Sequence, residues 1–436
     1  MGSQSSELSP AGARSLFILV LAAGLWISEA IPAFAVSLLV IGLQIALLGR
    51  TDGGQASGSS DWEQFAAVLG HPLIWLFFGG FTLAGAAQKT GLDRALALLV
   101  LARVGKTFAA LIAGVMLVTF TLSLFMSNTA TAAMVLALMN PVIRSQHLSP
   151  RATRGLLLCI AAAANVGGMG TLIGTPPNAI AVGGLASVGT SVDFTQWLFV
   201  GLPPALLLAA LSAGFIVWRY GEAGPIGRLT IDDEGARRAP RWQQLLVVGV
   251  FLCTVLLWMT GAYHGIPTAA VSFVPIVGLT MTGILAEEEV RAFPWEVLLL
   301  LAGGLALGAG VQSTGLANWV IEMLPISGLA TWALALSLAY TCALLSNVMS
   351  NTAAANVLVP IAVAMGPQLA AYTAVPVALA ASAAMCLPIA TPPNALAYST
   401  GQMHSRDFLA LGLVLLLLSP ALCVLWVSWC LPLLGH

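Results

Sequence analysis

Apolar residues run nearly unbroken through residues 15–30, 33–49, 71–89, 155–189, 196–219, 243–261, 267–286, 295–313, 372–402 and 407–433. A helix needs about 20 such residues to cross a bilayer, so the pattern predicts about ten transmembrane helices. Two further apolar segments behave differently. Residues 107–143 are too many for one crossing, yet "MSNTATAAM" (126–134) places Ser127, Asn128 and Thr129 inside the run, and only about 14 residues follow before Arg144. A hairpin that enters and returns fits that spacing. Residues 326–366 repeat the arrangement around "MSNTAAANV" (349–357).

The second SNT belongs to a larger duplication. "FFGGFTLAGAAQKTGL" (77–92) aligns with "LAGGLALGAGVQSTGL" (301–316) at an offset of 224, the SNT runs recur at 223, and "TPPNA" recurs at 175–179 and 391–395. The chain therefore divides into a first repeat over 1–219, a cytoplasmic linker over 220–242 and a second repeat over 243–436. Each unit holds a hairpin (107–143, 326–366) and a span broken at TPPN (155–189, 372–402). With five crossings per unit, the two must lie in opposite orientations. Inverted repeats with interrupted helices mark secondary transporters, whose site lies at the repeat interface near mid-membrane.

Charge orients the chain, since loops rich in Lys and Arg stay in the cytoplasm. Lys89, Arg94, Arg103 and Lys106 precede the first hairpin, and Arg144, Arg151 and Arg154 follow it. The linker carries Arg219, Arg228, Arg237, Arg238 and Arg241, whereas the second hairpin has no basic residue within or beside it. One hairpin is expected to open inward and the other outward. About 14 residues precede the first span, which puts the N-terminus outside despite Arg14, with Ser57 outside and Ala236 inside.

The polar residues at the tips and breaks suit an anion. Thr175, Pro176, Pro177 and Asn178, and again Thr391, Pro392, Pro393 and Asn394, cannot continue a regular helix, because consecutive prolines remove donors and clash with the preceding turn. Freed backbone groups at that depth must line a polar cavity. Each SNT and each TPPN precedes a new helical stretch, so four helix N-termini of about +0.5 each would converge, matching a dianion. No Lys or Arg falls within the hairpins or breaks, leaving Asn amides, Thr hydroxyls and backbone groups to hold the anion. Asparagine, serine and exposed carbonyls also offer oxygens to sodium, which would offset the substrate's charge. Packing by small polar residues is the bland alternative for one SNT; its recurrence beside duplicated proline breaks argues against it.

Composition removes other classes. Of 436 residues, 59% are hydrophobic and 8% charged, and the net charge of -1 offers no basic face for nucleic acid. Cys159, Cys253, Cys342, Cys386, Cys423 and Cys430 form no CxxC and read as inert core thiols, and the five histidines read as interfacial. "GGMGTLIG" (167–174) lacks the Lys of a phosphate loop. Glu29 and Glu296 stand at segment ends and are expected at the interface, and Glu287, Glu288 and Glu289 in a solvated loop. No GxSxG or HExxH occurs, so an intramembrane hydrolase, or any enzyme, is not expected.

From "WISEAIP" (26–32) through "TPPNALAYSTG" (391–401), with paired SNT tips and paired proline breaks, the chain resembles the divalent anion/sodium symporters, the di- and tricarboxylate transporters related to INDY. The resemblance implies an all-α integral membrane protein of the elevator type: inverted repeats, about ten transmembrane helices, two re-entrant hairpins, and scaffold and transport domains each drawn from both repeats. It also implies a homodimer in the cell membrane. Family members often carry one more helix ahead of the first repeat. By motif position, Asn128, Thr129, Asn351 and Thr352 would contact substrate, with Thr175, Pro176, Thr391 and Pro392 closing the site. One sodium site would use Ser123, Ser127, Asn128 and the Gly174 carbonyl; the other would use Ser346, the Met349 carbonyl, Asn351 and the Ala390 carbonyl.

These expectations amount to sodium-coupled import of a C4-dicarboxylate such as succinate, malate or fumarate. The rivals are a sodium-independent dicarboxylate exchanger, a sodium/sulfate symporter of the same fold, and an anion channel. Duplicated broken helices favour alternating access over a channel.

Overall fold

The computed structural model describes residues 8–49, 62–145, 148–222, 239–323 and 329–434. Arg50, Ser57, His147, most of the linker (with Arg228, Ala236, Arg237 and Arg238) and His436 lie outside the described residues.

Every regular element among the described residues is helical. The first half comprises α1 (Pro10–Ser28), α2 (Ala33–Leu47), α3 (Pro72–Thr90), α4 (Leu92–Leu101), α5 (Phe108–Ser123), α6 (Asn128–Ser145), α7 (Pro150–Gly167), α8 (Pro176–Ser187) and α9 (Phe194–Tyr220). The second half comprises α10 (Arg241–Met259), α11 (Phe273–Met281), α12 (Trp295–Ser313), α13 (Leu316–Met323), α14 (Thr331–Leu345), α15 (Asn351–Ala364), α16 (Pro367–Ser382), α17 (Pro392–Ser399) and α18 (Ser405–Cys430). Seven of the described helices are long and apolar enough to cross a membrane. The remaining expected crossings are short (α2, α11) or divided (α16 and α17), which is why length alone counts fewer than the apolar pattern did.

Sequence sets the ends of these helices. Pro150, Pro176, Pro367 and Pro392 begin helices, where the missing N–H costs nothing. Asp193 and Gln196 form a reciprocal capping box on α9, at 2.7 and 2.9 Å. The duplicated TGL ends α3 and α12 alike: Gly91 and Gly315 take φ of 71° and 73°, and the hydroxyls of Thr90 and Thr314 return to Ala86 O and Gly310 O at 2.7 and 2.8 Å. A left-handed turn there requires glycine.

The halves grip one another reciprocally. Gly303 of α12 lies so close to α2 that a Cβ would stand 2.2 Å from Ser37 Cβ; Gly79 of α3 faces Ser272, just before α11, where the same atom would be 2.7 Å away. The sequence "AVS" occupies both 35–37 and 270–272. Each half thus supplies the serine that fits the other half's glycine, the signature of a two-fold relation. Beside this layer, α7 and α16 are buried along nearly their whole length; α7 packs on α5 and α9, and α16 on α14, α15 and α18. By contrast α10 exposes Leu245, Leu252, Leu256 and Met259 along an apolar face.

Contacts at the helix ends sort into two sets. At one end Arg151 donates to Arg219 O at 2.9 and 2.5 Å, Gln244 Nε2 donates to Thr90 O at 3.1 Å, and Tyr220 donates to Asp407 Oδ1 at 2.8 Å. Lys89 Nζ lies 2.6 Å from Glu289 there and holds that carboxyl below its usual range. At the other end Arg14 donates to Leu47 O at 3.1 Å, Ser9 to Thr314 O at 3.3 Å and Thr195 to Met259 O at 3.0 Å. Among described side chains Lys89, Arg94, Arg103, Lys106, Arg151, Arg154, Arg219, Arg241, Arg291 and Arg406 belong to the first end, and Arg14 to the second. The first end is therefore cytoplasmic. Glu287–Arg291 is a helical turn there and not a plain loop. Cys253 is exposed, unlike the other five cysteines, so it is not a core thiol.

Candidate functional site

Ser127 and Ser350 have extended or turn backbone, and their hydroxyls accept the N–H of Ala130 and Ala353 at 3.2 Å each. The SNT serine is thus a helix cap, and the asparagine behind it is the first residue of α6 or α15. The breaks share the extended residue before the helix, but only the Thr391 hydroxyl caps, accepting the N–H of Asn394 at 3.4 Å. Thr175 and Thr391 are extended, and Pro176 and Pro392 open α8 and α17.

All four N-termini reach one cavity of about 550 Å³. Ser127, Asn128, Thr129, Gly174, Thr175, Pro176, Asn351, Thr352, Ala390, Thr391 and Pro392 line it, together with Ser350 and with Phe77, Phe81 and Phe125. Ser123, Ser346 and Met349 sit behind the tips, at 0%, 0% and 3% exposure. Among the described residues no Lys, Arg or His lines the cavity. The partial positive charges it receives are those of helix N-termini, about +0.5 each.

The two candidate cation sites differ in their present bonding. Ser123 Oγ is 2.6 Å from Ala164 O and 2.7 Å from Asn128 Oδ1, so one proton faces two acceptors. Gly168 and Gly174 close against this group: a Cβ on Gly168 would stand 2.8 Å from Asn128 Oδ1, and one on Gly174 would stand 2.5 Å from Gly168 O. In the second half Ser346 Oγ and Asn351 Oδ1 are buried without a hydrogen-bond partner, apart from the Cys342 thiol one turn before Ser346. The described residues contain no cluster of three His, Cys, Asp or Glu, so a cation here meets neutral oxygens.

Three asparagines do work that the sequence did not reveal. Asn178 and Asn394, the last residues of TPPN, are fully buried braces. Asn178 Nδ2 donates to Gly168 O and Thr171 O at 2.9 and 2.7 Å, and Asn394 Nδ2 to Met385 O and Leu387 O at 3.2 and 2.9 Å. They satisfy carbonyls that the broken helices leave open. Asn165 donates to Thr391 Oγ1 and Asn394 Oδ1 at 3.0 and 3.1 Å. Each hairpin turn is also tied to its break: the Thr171 hydroxyl donates to Leu124 O, and Cys386 N to Asn347 Oδ1 at 2.7 Å. Glu296 stands exposed at the helix end and also lines the cavity, because the first turn of α12 forms part of its wall. Glu29 lines a second cavity of about 370 Å³ that reaches Ser350 from the other side.

Residues 23–384 match the family model described as a citrate transporter, CitMHS. The sodium-dependent dicarboxylate transporter SdcS of Staphylococcus saprophyticus is 30% identical, over 98% of this chain and 88% of its own length. The protein of that name from Staphylococcus aureus is 28% identical over 93% and 84%. Among solved structures, the YdaH transporter of Alcanivorax borkumensis superposes with a TM-score of 0.60 at 16% identity, over 95% of this chain and 98% of that one. MtrF of Neisseria gonorrhoeae, titled an antimetabolite efflux pump, gives 0.58 at 15% identity, over 94% and 97%. At these identities the two structures speak for the fold.

Proposed function

Because the chain belongs to the citrate transporter family CitMHS, with relatives named sodium-dependent dicarboxylate transporters, we propose that it is a sodium-coupled symporter importing C4-dicarboxylates such as succinate. It is a multi-pass membrane protein, and this activity is transport rather than chemistry on the substrate. The observation that carries the reading is the convergence of four helix N-termini, two SNT tips and two threonine-proline breaks on one cavity with no basic side chain among its described residues.

In this reading Asn128, Thr129, Asn351 and Thr352 hold the two carboxylates, and Thr175, Pro176, Thr391 and Pro392 close around them. The helix ends supply about two positive charges, enough for a dianion once its hydration is replaced by N–H and hydroxyl donors. Sodium is co-transported cargo. One ion takes Ser123, Ser127, Asn128 and the Gly174 carbonyl; the other takes Ser346, Asn351 and the carbonyls of Met349 and Ala390. The unpartnered oxygens of Ser346 and Asn351 support the second site, since a buried oxygen without a donor costs about 1–3 kcal/mol that a cation would recover. Sodium and substrate share Asn128 and Asn351, which couples their binding.

Alternating access moves the hairpins, breaks and central α7 and α16 as a transport domain against a scaffold built on α2, α3, α11 and α12. The cavity touches α3 at its middle, at Phe77 and Phe81, but α12 at its cytoplasmic start, at Pro294 and Val297. That offset along the two-fold-related helices supports an inward-facing state of an elevator cycle. The resemblance to the divalent anion/sodium symporters supports a homodimer.

Radiolabelled succinate uptake into proteoliposomes under an inward sodium gradient tests the reading. Uptake is expected with sodium and not with potassium alone. Uptake driven by internal succinate without sodium would make the protein an exchanger.

A further inference from the structure

The cavity proposed for a dianion has one charged side chain among the described residues of its wall, and that charge has the wrong sign: Glu296. It sits in the first turn of α12, between Pro294 and Val297, and is solvent-exposed where the cavity opens at the cytoplasmic end. The same wall carries the polar tips and breaks, with Asn128, Thr175, Asn351 and Thr391 among them. A ligand with two carboxylates can place both against the helix N-termini. A ligand with a third must direct it along the remaining wall, which is apolar at Phe77, Phe81 and Phe125 and anionic at Glu296.

Size cannot make the distinction. About 550 Å³ is within the range that accepts drug-sized ligands, well above what a six-carbon acid requires. Charge can: two like charges a few ångströms apart at a partly wetted site change affinity by on the order of tenfold.

We propose that Glu296 sets the charge limit of this site, admitting dianions and repelling the third carboxylate of a tricarboxylate such as citrate. The proposal rests on the dicarboxylate reading above and names the feature that divides di- from tricarboxylates within it. Specificity of this kind comes from a repulsive element and needs no contact with the accepted substrate.

The test is competition against radiolabelled succinate uptake, at a pH where all carboxylates are ionised. The competitors are propane-1,2,3-tricarboxylate and its amide at one terminal carboxyl, nearly equal in shape and differing by one charge. In the wild-type protein the amide is expected to compete about tenfold better than the tricarboxylate. In Glu296→Gln the ratio of half-inhibitory concentrations should fall towards one, and in Glu296→Asp it should stay near the wild-type value. A wild-type ratio near one overturns the proposal without any variant being needed. An unchanged ratio in Glu296→Gln overturns it as well, since the discrimination would then come from elsewhere. Absence of sodium-dependent succinate uptake by the wild type would instead remove the dicarboxylate reading itself, a result the ratio experiment keeps separate.

Discussion

Asn165 of α7 donates its amide to the Thr391 hydroxyl at 3.0 Å, so a side chain of the first half holds the break of the second. The repeat places Ala381 at the matching position, and the tie is one-sided. Asn165→Ala removes the donor to both Thr391 Oγ1 and Asn394 Oδ1. It is expected to lower stability by about 1–3 kcal/mol and to raise the succinate KM. Thermal unfolding in detergent and uptake kinetics check both; wild-type values for each would mean that the tie is dispensable.

The candidate sodium ligands predict opposite behaviour for two equivalent serines. Ser123 is hydrogen-bonded within the protein, so Ser123→Ala should destabilise the sodium-free protein by about 1 kcal/mol. Ser346 has only the weak Cys342 thiol contact to lose. Ser346→Ala should unfold no lower than the wild type without sodium, since it removes a buried unsatisfied hydroxyl, and show less stabilisation when sodium is added. Equal sodium stabilisation in Ser346→Ala and wild type would remove this serine from the cation site.

Asn351→Ala removes a proposed ligand of both substrate and sodium, and uptake should fall at least tenfold, as it should for Asn128→Ala. Saturating sodium should not restore it. Recovery at high sodium would confine the residue to the cation.

The reciprocal glycines give a rescue test. Gly79→Ala sets a Cβ 2.7 Å from Ser272 Cβ, with backbone no nearer than 3.1 Å, and should cost about 1–3 kcal/mol that Ser272→Gly largely restores. Gly303→Ala meets Ser37 Cα at 2.6 Å as well, so Ser37→Gly should fail to rescue it. Unfolding temperatures of the four proteins decide this.

Sidedness can be read on a cysteine-free background. Tyr263→Cys, 91% exposed between α10 and α11, should react with an impermeant maleimide from outside, and Arg291→Cys only after permeabilisation. The same response from both would break the orientation drawn from the helix-end contacts.

Much of this molecule was legible because its chemistry is written in residues with strict backbone demands. The prolines at 176 and 392 and the glycines at 91 and 315 each fix a helix end, so the breaks and the TGL turns can be read from the sequence. Asn165 was not legible, since a lone asparagine in an alanine run has no period or partner in the sequence. The cavity beside Glu296 was not legible for a different reason. Hydropathy locates a helix end, but it does not say whether a cavity opens beside it. The pairing of Ser37 with Ser272 was hidden by the longer α2–α3 connection of the first half, which shifts the offset there to 235 from the 224 that holds at TGL.

The exchange of partners between halves also sets a timetable for synthesis. Gly79 leaves the ribosome nearly two hundred residues before Ser272, and Ser37 still further ahead of Gly303. At roughly 5–20 residues per second, α3 waits about ten to forty seconds for the surface it packs against. During that interval its small-residue face must be shielded by lipid or by an insertion chaperone. Neither half can complete its own packing, so duplication here has produced a protein whose first product is, until the second arrives, half of an interface.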